Sequence, residues 1–189
     1  YLLELDISQF FDRIDRVKLH GKVKKLVQKE QNFQIKPKSV VENLLNAFDS
    51  WSWSECTKSS YHLCATPDIA TPPLGLPQGL VASGFFSNIY MLDFDSYIAE
   101  LIGKKVPESN LVLVDYCRYV DDMRLVVIGP KRDSNNPNPI QDIQKIINHW
   151  LDSELKMLKL KLNFEKSKIE VFRGKSKGIS NTLEEIQTR

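Results

Sequence analysis

An excess of charge of either sign is the first thing this sequence lacks. Its 26 Lys and Arg residues face 24 Asp and Glu, leaving +2 at pH 7. That is too little to announce a nucleic-acid partner, so any basic surface has to be local. Cysteine is scarce too: Cys56, Cys64 and Cys117 are odd in number, widely spaced and without a CxxC pair. This argues against a disulfide framework or a zinc site and fits reduced thiols in a cytoplasmic protein. No apolar run reaches the roughly 18 residues of a membrane span, and no signal peptide is visible. No membrane partner is expected. His20, His62 and His149 show no ligand spacing and are expected on the surface or in structural roles.

What is present fits a globular domain: 189 residues, 42% hydrophobic and 26% charged, enough to bury a sizeable core. The chain opens at Tyr1 in YLLELDI, which already reads as a buried strand, so we expect a piece of a longer protein. That strand runs over residues 1–6 and ends in Asp6. Apolar residues at helical spacing among five lysines predict a basic amphipathic helix over 17–30. Pro37 begins another helical run. Residues 51–77, aromatic and then rich in Thr and Pro, read as irregular; Trp51 and Trp53 are expected to pack rather than to stack on bases. A helix over about 79–101 is apolar on much of its circumference and is expected to be central. Strands follow at 111–114 and 116–128, then a loop of turn formers at 129–139. A helix over 140–158 and a strand over roughly 168–172 precede a polar tail or linker at 174–189.

The informative stretch is RYVDDMRLVV, residues 118–127. Asp121 and Asp122 sit where two apolar strands meet. Successive side chains of a strand diverge, so adjacent carboxylates are tolerated best at the tip of a hairpin. An isolated DD is usually an ordinary surface turn. Here Asp6 also closes an apolar strand, and if the two ends lie side by side, Asp6 and Asp121 converge. Converging carboxylates repel unless a cation neutralises them. Mg²⁺ takes oxygen ligands and is held by one or two carboxylates plus substrate phosphates. Two such ions can bind the attacking and leaving oxygens of a phosphoryl transfer.

Four segments carry a resemblance. DISQFFD (Asp6–Asp12), LPQGLVASGFFSN (Leu76–Asn88), YVDD (Tyr119–Asp122) and LKLNFEKSK (Leu160–Lys168) resemble reverse transcriptase palm motifs A, B, C and D, in order and spacing. The LPQG-x-x-A-S form and RYVDDMRLVV look most like bacterial abortive-infection and defence-associated reverse transcriptases. The resemblance implies an α+β polymerase palm over 1–173, with part of the fingers: an antiparallel sheet backed by helices, lacking most of the fingers and the thumb. It implies Mg²⁺-dependent addition of dNTPs to a primer 3′-OH on an RNA template. Two ions would be bound, with Mn²⁺ as a substitute.

Residue by residue, Asp6 and Asp121 would be the main metal ligands, with Asp122 assisting and the Ile7 carbonyl in reach. Phe11 falls at the steric gate, where a ring excludes a ribose 2′-OH; its plainer reading is a core Phe. Gln78 and Gly79 would line the nucleotide pocket, and Tyr119 would pack against the primer end. Lys166 matches the lysine that protonates the leaving pyrophosphate, although a lysine in a lysine-rich segment usually just solvates a surface. Gly84 stands where the family often has Pro. RNA-dependent RNA polymerases share the palm, but they commonly carry a second Asp at the place of Phe11 and GDD at motif C. Three other readings stay open: template-independent synthesis, protein-primed synthesis, and a palm-like RNA-binding scaffold without catalysis. Template, primer and oligomeric state cannot be read from the sequence.

Overall fold

In a computed structural model, residues 1–29, 37–50, 54–56, 75–130 and 138–171 are described. The expectations for the polar tail, for Trp51, Trp53, His62 and Cys64, and for most of the 129–139 loop lie outside the described residues. The chain divides into two compact units. One contains Tyr1–Asp6, Tyr97–Leu151 and the chain from 162 onward; the other contains Ile7–Ser96 and Asp152–Lys161.

The first unit is an antiparallel four-stranded sheet with helix against it. Strands β1 (Leu2–Asp6), β2 (Val112–Tyr119), β3 (Asp122–Ile128) and β4 (Lys168–Glu170) stand in the order β2-β3-β1-β4. Period-2 alternation decides which residues face inward. Leu3 and Leu5 of β1 and Met123, Leu125 and Val127 of β3 are buried. Helix α5 (Pro139–Met157) begins in this unit and contributes Ile143, Ile147 and Leu151, spaced one helical turn apart, to the same core. Gly129 marks a close approach there: a Cβ would lie 2.7 Å from the Leu111 side chain and 3.0 Å from that of Ile143. The opposite face of β1 and β3 carries Glu4, Asp6, Asp122 and Arg124. The two strands expected at 111–114 and 116–128 are a hairpin whose first arm, β2, is continuous. A bulge between Leu113 and Asp115 shifts its register and leaves Val114 exposed.

The second unit is helical. It holds α1 (Phe10–Arg13), α2 (Arg16–Lys29), α3 (Pro37–Ser50) and most of α4 (Val81–Glu100). Pro37 is the first residue of α3, as its missing N–H favours. α1 has no sequence signal of its own; it follows Gln9, which adopts a left-handed conformation (φ 49°). α4 begins at Val81 rather than 79, because Gly79 (φ 84°) belongs to the preceding turn. It buries Phe86, Tyr90, Met91 and Phe94, whereas Val81, Phe85 and Leu92 are exposed. Although apolar on much of its circumference, α4 is therefore buried on one side. Tyr90 is its anchor. The hydroxyl donates to the Leu158 carbonyl (2.6 Å) and accepts from the Asp15 amide (3.4 Å), and burial pushes its pKa up to about 12.

Asp15 caps α2: its Oδ1 accepts from the Lys18 amide at 3.0 Å, and its Oδ2 accepts from Lys159 Nζ. The Lys159 hydrogen bond, with that of Lys18, holds the Asp15 carboxyl below its ordinary range. Asp15→Ala is expected to cost about 1 kcal/mol at neutral pH. A carboxyl lowered in the folded state stabilises above its unfolded pKa and loses that contribution as pH falls through the folded value. Denaturant melts of both proteins should therefore converge under acid conditions. A difference that persists unchanged there would show that the charge of Asp15 contributes nothing.

Candidate active site

Register places the carboxylates. Adjacent antiparallel strands put directly opposed residues on the same face of a sheet. β1 and β3 pair residue for residue from Leu2↔Val126 to Asp6↔Asp122. Asp6, at the end of β1, therefore faces Asp122 directly. Like charges opposed in this way destabilise a sheet unless something offsets them. Asp121 lies in the adjoining turn. Burial, and then the carboxylates of Asp122 and Asp6, push its carboxyl above the ordinary range, against Lys166 and a backbone hydrogen bond.

The turn itself is strained. Val120 has φ 58°, a left-handed conformation that a β-branched residue rarely adopts. Arg118 holds it, donating from Nη1 to the Val120 carbonyl at 2.7 Å. Strain of this kind persists only where surrounding contacts impose it, and it collects at functional turns. Tyr119, opposite Asp122 in the hairpin, is 81% exposed, its ring available at the surface.

Asp6 is the buried member of the set, at 8% exposure. Its Oδ1 accepts from Asn163 Nδ2 at 2.9 Å, and Lys166 Nζ stands 3.5 Å from its Oδ2. Both partners come from the segment before β4. Lys166 thus stands beside Asp6. Asn163 lies in the same segment but has no sequence signal that would single it out. The open face becomes a groove of about 780 Å³, lined among others by Glu4, Asp6, Arg118, Asp122, Arg124 and Lys166. Arg124 pairs with Glu4 across the strands at 3.2 Å.

Among the described residues, no three Asp, Glu, His or Cys side chains are gathered into a ready metal cage. The donors present still fit a hard divalent cation. They are oxygens only, two of the three carboxylates are directly opposed, and burial with the charges of Asp122 and Asp6 holds the Asp121 carboxyl above its ordinary range. Asp6, Asp121 and Asp122 are the residues that would hold it.

The remaining sequence-derived residues belong to the second unit. Ile7 follows Asp6 directly, with a buried side chain. Phe11 lies on α1, half-buried, beside the fully buried Phe10 at a ring separation of 5.5 Å. Its carbonyl accepts from the Leu76 amide at 2.8 Å, which ties it to the segment carrying Gln78 and Gly79. Gln78 and Gly79 are both exposed.

The chain is similar to several known proteins. Protein YkfC of Escherichia coli (strain K12) is 32% identical over an alignment of 117 residues that covers 50% of this chain and 28% of that protein. Two solved structures are similar at greater distance. Apo telomerase from Candida tropicalis, truncated from its C-terminal domain, has a TM-score of 0.47 and 18% identity over 93% of this chain and 31% of that one. Telomerase from Candida albicans in complex with a fragment of telomeric RNA has 0.42 and 16%, over 93% and 28%. The sequence profile of the reverse transcriptase (RNA-dependent DNA polymerase) family matches residues 1–183, which include every carboxylate of the groove. The chain belongs to that family.

Proposed function

We propose that the protein is a Mg²⁺-dependent RNA-directed DNA polymerase, adding dNTPs to a primer 3′-OH on an RNA template. The observation that carries this reading is the Asp6↔Asp122 opposition, with Asp121 in the strained turn beside it. Carboxylates opposed in this way repel one another unless a cation offsets their charge. Two Mg²⁺ ions, or Mn²⁺ in their place, would supply charge neutralisation for the triphosphate and the leaving pyrophosphate. The chain's own residues do the positioning. Asp6, Asp121 and Asp122 would hold the cations, with the Ile7 carbonyl as the motif resemblance implies. Tyr119 packs against the primer end, and Gln78 and Gly79 line the nucleotide pocket. Phe11, at the motif's steric-gate position, would reject a 2′-OH. Lys166, beside Asp6, gives a proton to the departing pyrophosphate. From the likeness of LPQG-x-x-A-S and RYVDDMRLVV to bacterial defence enzymes, we place the activity in anti-phage defence in the cytoplasm.

Primer extension by the full-length protein tests the reading, with matched dNTP and rNTP, with and without an RNA template, for wild type and Phe11→Val. Wild type should add dNTPs only with template. The variant should raise rNTP use by about tenfold or more with unchanged metal dependence. Equal use of both sugars by wild type would remove the gate. Addition without template would favour untemplated synthesis, and no addition at all would favour a scaffold.

A further inference from the structure

We propose that Asn163 is a positioning residue for Asp6, selecting which carboxylate oxygen meets a bound divalent cation; this rests on the polymerase reading above. Two hydrogen bonds join the residues. The Asn163 amide N–H donates to the Asp6 carbonyl at 2.8 Å, and Nδ2 donates to Asp6 Oδ1 at 2.9 Å. A side chain whose own backbone is pinned to the strand it serves has little freedom to aim elsewhere. The turn that presents it is braced as well. The Asn163 carbonyl accepts from the Lys166 amide (3.3 Å) and from Ser167 Oγ (3.0 Å), and the Ser167 carbonyl accepts from Gln144 Nε2 (3.2 Å).

The same turn delivers Lys166 to the other oxygen, 3.5 Å from Oδ2, with a side chain that is 67% exposed. The two oxygens of Asp6 are thereby divided. Oδ1 is held by a neutral amide, which orients the carboxylate without neutralising it. Among the described residues, Oδ2 meets only a long, solvent-exposed ammonium, which a divalent cation of higher charge can displace. Oδ2 is the oxygen left to the cation. The backbone hydrogen bond already ties the turn to β1, so the amide bond to Oδ1 is surplus to that connection and specific to the carboxylate. Carboxylates that ligate metals are commonly fixed by such hydrogen bonds, and losing one typically costs about 10- to 100-fold in metal affinity or activity.

The test is Mn²⁺ binding by the full-length protein without nucleic acid, followed by electron paramagnetic resonance titration alongside thermal melts. Asn163→Ala keeps the backbone bond, and Asn163→Leu also nearly keeps the volume. Both should weaken Mn²⁺ binding about tenfold with little change in melting temperature. In primer extension they should raise the metal concentration for half-maximal rate and leave KM for dNTP at saturating metal unchanged. A lowered melting temperature with wild-type Mn²⁺ affinity, or unfolding of both variants, would make Asn163 a structural brace and overturn the proposal. Asp6→Asn separates the two levels of the argument. If it too binds Mn²⁺ as wild type does, the metal site itself is misplaced and the positioning role falls with it. If only Asp6→Asn loses affinity, the site stands and the role of Asn163 fails.

Discussion

Asp121→Asn is expected to lower the proposed dNTP incorporation by the full-length protein about a thousandfold or more and to leave thermal stability equal or higher. The two effects separate because they depend on different states of the site. Cation-borne charge stabilisation in phosphoryl transfer is worth several kcal/mol, and each ~1.4 kcal/mol is a factor of ten in rate. In the metal-free fold the same carboxylate is a burden. Burial and the facing charges of Asp122 and Asp6 disfavour its ionised form. An amide of the same shape carries no charge to repel. Single-turnover extension and thermal melts on the same preparation check both halves. Incorporation at the wild-type rate would remove Asp121 from the metal site. A large loss of stability would mean that the carboxylate holds the hairpin together instead.

Gly75→Ala is expected to destabilise the protein by about 3 kcal/mol, at the upper end for a single added methyl. A Cβ at this position would lie 1.9 Å from the Phe11 carbonyl oxygen and 2.6 Å from that of Asp12. Neither is the end of a flexible side chain, so relief requires the backbone to move. The Leu76 amide donates to the same Phe11 carbonyl at 2.8 Å, and movement would strain that bond. Because Phe11 is the proposed sugar gate, any folded fraction of the variant should also discriminate poorly between dNTP and rNTP. Gly84→Ala is the control. It lies inside α4 with open space where the Cβ would go, so the usual helix preference should stabilise by about 1 kcal/mol. If denaturant melts give both variants the same stability, Phe11 and Gly75 do not approach as closely as described.

The sequence by itself determined the kind of element at most positions and the chemistry at the hairpin. Alternation in YLLELDI and RYVDDMRLVV marks strands, and apolar spacing marks α2, α4 and α5, because both periods come from local backbone geometry. The four motifs in order identified the family, and DD at a strand junction identified the carboxylates. Each of those signals is carried by a few neighbouring residues. Tertiary structure decided what depends on distant pairing. A strand's side-chain period is 2, so one residue of register chooses between neighbours; the β1–β3 ladder sets Asp122, rather than Asp121, opposite Asp6. α1, which carries Phe11, depends on the left-handed turn at Gln9 and on the carbonyl contacts with 75–76. The one-sided burial of α4 depends on which of its faces other segments cover, and hydrophobicity alone does not say. Asn163 reaches Asp6 across 157 residues of chain. An asparagine before a run of lysines carries no trace of that in its local pattern, because its meaning lies in the oxygen it meets.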